Sequence, residues 1–167
     1  MGSIFATAAL ALIQPAAAVP DAMERLDQLV PGTAAERVHA LFPAGPKVRH
    51  AADRVAIEDV AVGGDCEGDA EIRLARGAVS EVELRGGGAL LGRCGERVLE
   101  ALVARLGAPD EERSRGDTPW RRARSTYAWN RDGRAIRYVR YTSPGYAGTG
   151  LLSASWVLTV SPGGAKD

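Results

Sequence analysis

The sequence predicts an α+β domain in which helices pack on one face of an antiparallel sheet. Three observations carry that expectation: apolar residues recur at helical spacing in a few stretches, other segments alternate apolar with polar residues, and glycine- or proline-bearing turns separate them. The chain has 167 residues, enough for one domain. Its apolar fraction of 46% and charged fraction of 25% are those of a globular protein, which excludes chain-wide disorder.

The helices come first. Asp21 to Val30 places Met23, Leu26, Leu29 and Val30 on one face, and Pro31-Gly32 ends it. Thr33 opens a second helix as the first residue of a Thr33-x-x-Glu36 capping box, with Val38, Leu41 and Phe42 apolar. The clearest helix is Glu96 to Leu106, where Val98, Leu99, Leu102, Val103 and Leu106 share a face. Gly107 suits its C′ position, and Pro109 prevents continuation.

Strands fill the rest. Arg54 to Val62 is half-alternating, and Glu58-Asp59 breaks its pattern as a bulge does. Ala70 to Arg76 turns Ile72 and Leu74 inward, Gly77 turns the chain, and Val79 to Arg85 turns Val82 and Leu84 inward. Gly86-Gly87-Gly88 reads as a flexible break, and Asp110 to Pro119 as a polar loop. Ser125–Asn130 and Arg134–Thr142 flank Asp132-Gly133, a strong hairpin signal, and Ala154–Val160 is a last strand. The order suggests halves at 21–86 and 93–161, a tandem of a helix plus a three-stranded meander within a single domain over 19–167.

The N-terminus carries an address. No charged side chain precedes Asp21, Ile4 to Ile13 is apolar, Pro15 breaks the run, and Ala16-Ala17-Ala18 offers small residues for cleavage. Residues 1–18 therefore read as a signal peptide, with only the terminal amine as its positive charge. The mature chain has no apolar run long enough for a transmembrane helix. Export leads to a periplasmic or secreted location, where the only two cysteines, Cys66 and Cys94, are expected to form a disulfide. Neither those cysteines nor His39 and His50 have metal-ligand spacing, and no catalytic motif or cofactor-binding loop is present.

Net charge is zero, which argues against a nucleic-acid binder. The average hides a split. Ile57 to Leu84 holds eight acids against two arginines, net −6, whereas Arg113 to Tyr141 holds nine arginines against two aspartates, net +7. The bland reading is that the two regions neutralise each other across a sheet. Within the basic region Trp120, Arg121, Arg122 and Arg124 are followed by Tyr127 and Trp129, and then by Arg137, Tyr138, Arg140 and Tyr141. Arginine forks beside aromatic faces suit the binding of an acidic protein surface. The competing reading puts Tyr127, Trp129 and Tyr138 in the core of the hairpin, with arginine outward.

The stretch Leu29-Val-Pro-Gly32-Thr33-Ala-Ala-Glu36-Arg-Val38-His-Ala-Leu41-Phe42 resembles the helical opening of small envelope proteins of the SmpA/OmlA type. Leu106-Gly107-Ala108-Pro109, leading to Trp120 and the Tyr127–Trp129 strand, resembles the same unit again. A tandem of two such units is similar to the β-lactamase-inhibitor-like fold. The resemblance implies a non-enzymatic protein-binding module of the cell envelope, although this chain lacks the family's lipid-anchor cysteine. A secreted enzyme inhibitor is a related use of that fold. The third reading, a small periplasmic hydrolase, requires His39 or His50 beside a carboxylate and a nucleophile.

Overall fold

The computed structural model describes residues 28–63, 66–89, 93–116, 123–143 and 153–164. In chain order these form α1 (Ala35–Leu41), β1 (Val48–His50), β2 (Arg54–Gly63), β3 (Cys66–Ala75), β4 (Ala78–Ala89), α2 (Arg93–Leu106), β5 (Glu111–Arg115), β6 (Ala123–Arg131), β7 (Arg134–Ser143) and β8 (Ser153–Pro162). The strands make one antiparallel sheet in the order β1-β2-β3-β4-β8-β7-β6-β5. Each helix is followed by a run of four strands, and the two runs meet where β4 pairs with β8.

This corrects the α+β expectation. The described residues are mostly a single eight-stranded sheet carrying two short helices, 59% strand and 19% helix. The three-stranded meander also fails, because segments without apolar alternation join the sheet. Glu111–Arg115 is exposed at every position yet pairs with β6, and the glycine run at 86–88 continues β4 in register with β8. Ladder hydrogen bonds to a neighbouring strand hold such segments extended, whatever their own pattern.

Local signals fared unevenly. The bulge lies where Glu58-Asp59 interrupts the β2–β3 register, with Asp59 at φ 52°. Both predicted turns form: Arg76-Gly77 and Asp132-Gly133 each place two successive residues at positive φ, the requirement of a type I′ hairpin turn. Gly107 follows α2 at φ 81° as a left-handed C′ residue. The Thr33–Glu36 capping box does not form. Ala34 is the N-cap, without a side-chain cap, and the Thr33 hydroxyl reaches back to the Gln28 carbonyl. Most of the helix expected over Asp21–Val30 lies outside the described residues; Leu29 is buried in the core.

The core sits on one face of the sheet. Val55, Ile57, Ile72, Val82, Leu84, Leu158 and Val160 meet Val38 of α1 and Val98 and Leu102 of α2 in a single cluster. Tyr138 anchors α2 by donating its hydroxyl to the Gly95 carbonyl at 2.6 Å, and burial pushes that phenol's pKa up. Trp156 lies against Gly68 and Gly86, where a Cβ on Gly86 would meet the indole at 2.5 Å. Cys66, at the start of β3, and Cys94, in the first turn of α2, form a disulfide with Cα atoms 5.6 Å apart. That bond ties the first run of strands to the helix of the second. No helix among the described residues is long and apolar enough to cross a membrane.

Candidate functional site: an arginine-lined sheet face

Strand parity sorts the basic region. The β6–β7 register pairs Tyr127 with Tyr138 and Trp129 with Ile136, and these side chains belong to the core face. The intervening residues Arg124, Thr126 and Ala128 therefore point the other way, as do Arg137, Val139 and Tyr141 opposite them. From β5, Arg115 pairs with Arg124, Arg113 with Thr126 and Glu111 with Ala128, on that same face, which no helix covers among the described residues. An open depression of about 520 Å³ is lined there by Glu111, Arg113, Arg115, Arg124, Thr126 and Arg137, among others.

The arginines of this region divide into structural and unengaged groups. Arg131 donates to the Leu106 carbonyl at the end of α2 and to the Ala108 carbonyl just beyond it, and pairs with Asp110. Its guanidinium, together with the Asn130 N–H, holds the Asp110 carboxyl below its ordinary pKa. Arg134 pairs with Asp132, and Arg140, on the core face, pairs with Glu96 of α2. Arg113 pairs with Glu111. Among the described residues Arg115, Arg124 and Arg137 form no ion pair, and all three are exposed. The Arg124 guanidinium lies 5.7 Å from the centre of the Tyr141 ring, within cation–π range.

The acidic region behaves differently. Arg73 is bracketed by Glu71, Glu81 and Glu83, and Arg85 pairs with Glu83. Hydrogen bonding to Glu71 and the charge of Glu81 raise the Arg73 pKa further. Lys47 meets Asp59, and Arg49 meets Glu58. Among the described residues, then, Glu58, Asp59, Glu71, Glu81 and Glu83 are neutralised within their own run of strands, whereas Glu67 and Asp69 form no ion pair. The expected neutralisation of acidic by basic half across the sheet does not occur in these pairs.

Of the residues singled out in the sequence, Arg124 lies on the uncovered face. Trp129 is fully buried and donates its indole N–H to the Gly107 carbonyl, and Tyr127 packs against the core. Trp120, Arg121 and Arg122 lie outside the described residues. The sequence reading included Arg137 but missed Arg115, because it took Asp110 to Pro119 for a polar loop; a strand at 111–115 was the missing signal.

The two histidines lie side by side. His39 and His50 stack with ring centres 4.4 Å apart, and the His50 Nε2 lies 2.7 Å from the Phe42 carbonyl. Among the described residues neither ring hydrogen bonds to a carboxylate or nucleophile, and no cluster of His, Cys, Asp and Glu could hold a metal ion. Comparison with known proteins gives no matching family model, no matching curated protein and no matching solved structure.

Proposed function

We propose that this protein is an exported, non-enzymatic binding module of the cell envelope that docks an acidic protein surface on the uncovered face of β5, β6 and β7. One observation carries the reading: Arg115, Arg124 and Arg137 stand exposed on one sheet face with no acidic partner among the described residues. The other described arginines of the basic region are each engaged by an acid or a helix end, so these three are the surplus. A guanidinium stays charged at physiological pH and can grip a carboxylate through two hydrogen bonds. The Cys66–Cys94 disulfide and the Ile4–Ala18 pattern support export, and the resemblance to SmpA/OmlA-type proteins implies the same kind of role.

The test compares the mature chain with an Arg115→Gln/Arg124→Gln/Arg137→Gln variant as bait in an extract of the host's envelope. Wild-type bait should retain a partner that elutes as salt is raised, since rim charges are screened. The variant should lose that partner while keeping its melting temperature within a few degrees. Undiminished capture by the folded variant would place the binding surface elsewhere. Protein recovered from the envelope should begin at Val19; an intact Met1 form confined to the cytosol would overturn the export part of the reading.

A further inference from the structure

The spacing of the arginines on this face, three of them without an ion pair among the described residues and Arg113 held by Glu111 through its Nε, carries a pattern that a general basic patch does not. Three successive rungs of the uncovered face run across β5, β6 and β7. The first is Arg115, Arg124 and Tyr141; the second is Arg113, Thr126 and Val139; the third is Glu111, Ala128 and Arg137. Every rung holds a guanidinium. Neighbouring rungs are two residues apart along the strands, roughly 7 Å. Glu111, the one acid on the three rungs, is engaged by Arg113.

The first rung is the most unusual. Arg115 and Arg124 are direct cross-strand partners, and like charges so placed repel. No acid among the described residues relieves them, and Tyr141 extends the rung beneath the Arg124 guanidinium. A carboxylate entering between the two arginines would accept hydrogen bonds from both and remove the repulsion. Among the described residues a second copy of this chain supplies at most two acids for three rungs: on the same face of its other run Glu71, Glu81 and Glu83 are held by Arg73 and Arg85, which leaves Glu67 and Asp69.

We infer that the depression receives an extended acidic peptide segment of a partner protein, laid along the strands, with Asp or Glu at every second position. This rests on the acidic-partner reading above and adds a register to it. An extended chain repeats its side chains on one face every two residues, roughly 7 Å, which matches the rung spacing. The first acid would sit between Arg115 and Arg124, the next at Arg113 and the third at Arg137. A block of consecutive acids would turn alternate carboxylates away from the sheet.

The experiment measures fluorescence anisotropy of two labelled peptides of identical composition, Ser-Glu-Ser-Glu-Ser-Glu-Ser and Ser-Ser-Glu-Glu-Glu-Ser-Ser, with the oxidised full chain at low salt. The alternating peptide should bind roughly fivefold tighter, the order expected when exposed ion pairs are gained by register alone. Arg137→Gln should reduce that preference. Arg115→Gln should weaken both peptides, and Arg49→Gln, in the other run of strands, should change neither. Circular dichroism confirms that each variant is folded. Equal, salt-sensitive binding of the two peptides overturns the register while leaving the acidic-partner reading in place. Binding of neither peptide overturns both. Tighter binding of a heparin oligosaccharide than of either peptide overturns the peptide occupant in favour of a sulfated glycan.

Discussion

Arg131 shows how one side chain of a basic region is committed to structure rather than to binding. It spans the end of α2, where the Leu106 and Ala108 carbonyls need donors, and grips Asp110 at 2.7 Å. Asp110 also accepts the Asn130 N–H, which fixes the loop between α2 and β5 to β6. Its carboxyl pKa is lowered by the hydrogen bond from Arg131 first and the Asn130 N–H second. A lowered folded-state value means that the carboxylate supports the fold above the ordinary aspartate range and ceases to do so as pH falls through the lowered value. Asp110→Asn should therefore melt below wild type near neutral pH, and the gap should close as the pH drops below about 3.9, the unperturbed aspartate value. Melting curves from pH 7 to pH 2 check this; a gap that is constant across the range would show that the charge is not what matters.

At the scale of elements, β4 is the informative case. Three consecutive glycines look like a break, yet Gly86, Gly87 and Gly88 pair in order with Trp156, Ser155 and Ala154 of β8. Their small size has a specific use at Gly86, where the indole of Trp156 occupies the space a side chain would take. Gly86→Ala would force that indole off its seat against β4, an overpacking of the kind that costs roughly 1–3 kcal/mol. Urea denaturation at constant m-value checks the loss; an unchanged midpoint would mean that the indole has room to move. The strand β5 teaches the complementary lesson. Its residues Glu111 to Arg115 are all charged or polar and exposed, as edge strands commonly are to discourage further pairing. Periodicity cannot distinguish such a strand from a loop, since it has no buried face to report. It is also the element that brings Arg113 and Arg115 to the site.

For the whole molecule the decisive feature is that two runs of a helix and four strands share one sheet, one core cluster and one disulfide. Cys66 and Cys94, 28 residues apart, close a loop that contains β3, β4 and the entry to α2. In the chain-entropy view, removing that crosslink costs roughly 3–4 kcal/mol by freeing the unfolded chain. The Cys66→Ala/Cys94→Ala variant should lose about that much stability in denaturant, and a reducing agent should destabilise wild type but not the variant. Equal sensitivity of both proteins to reductant would rule out the bond as the cause.

Taken alone, the sequence determined the features that depend on neighbours in the chain. These are the helix Glu96–Leu106 and its Gly107 end, the Arg76-Gly77 and Asp132-Gly133 turns, the bulge at Glu58-Asp59, and a cysteine pair suited to bridging. Each follows from short-range sterics, backbone hydrogen bonding or simple pairing, which a few adjacent residues specify. The tertiary structure decided what depends on partners far away in the chain: that charged Glu111–Arg115 and glycine-rich Gly86–Gly88 are strands, and that Trp129 is core rather than surface. It also decided which arginines are engaged and which are not. Strand parity turns Arg124 and Arg137 to the uncovered face and Arg140 to the helical one, and that parity acquires meaning only when the sheet gains a covered side.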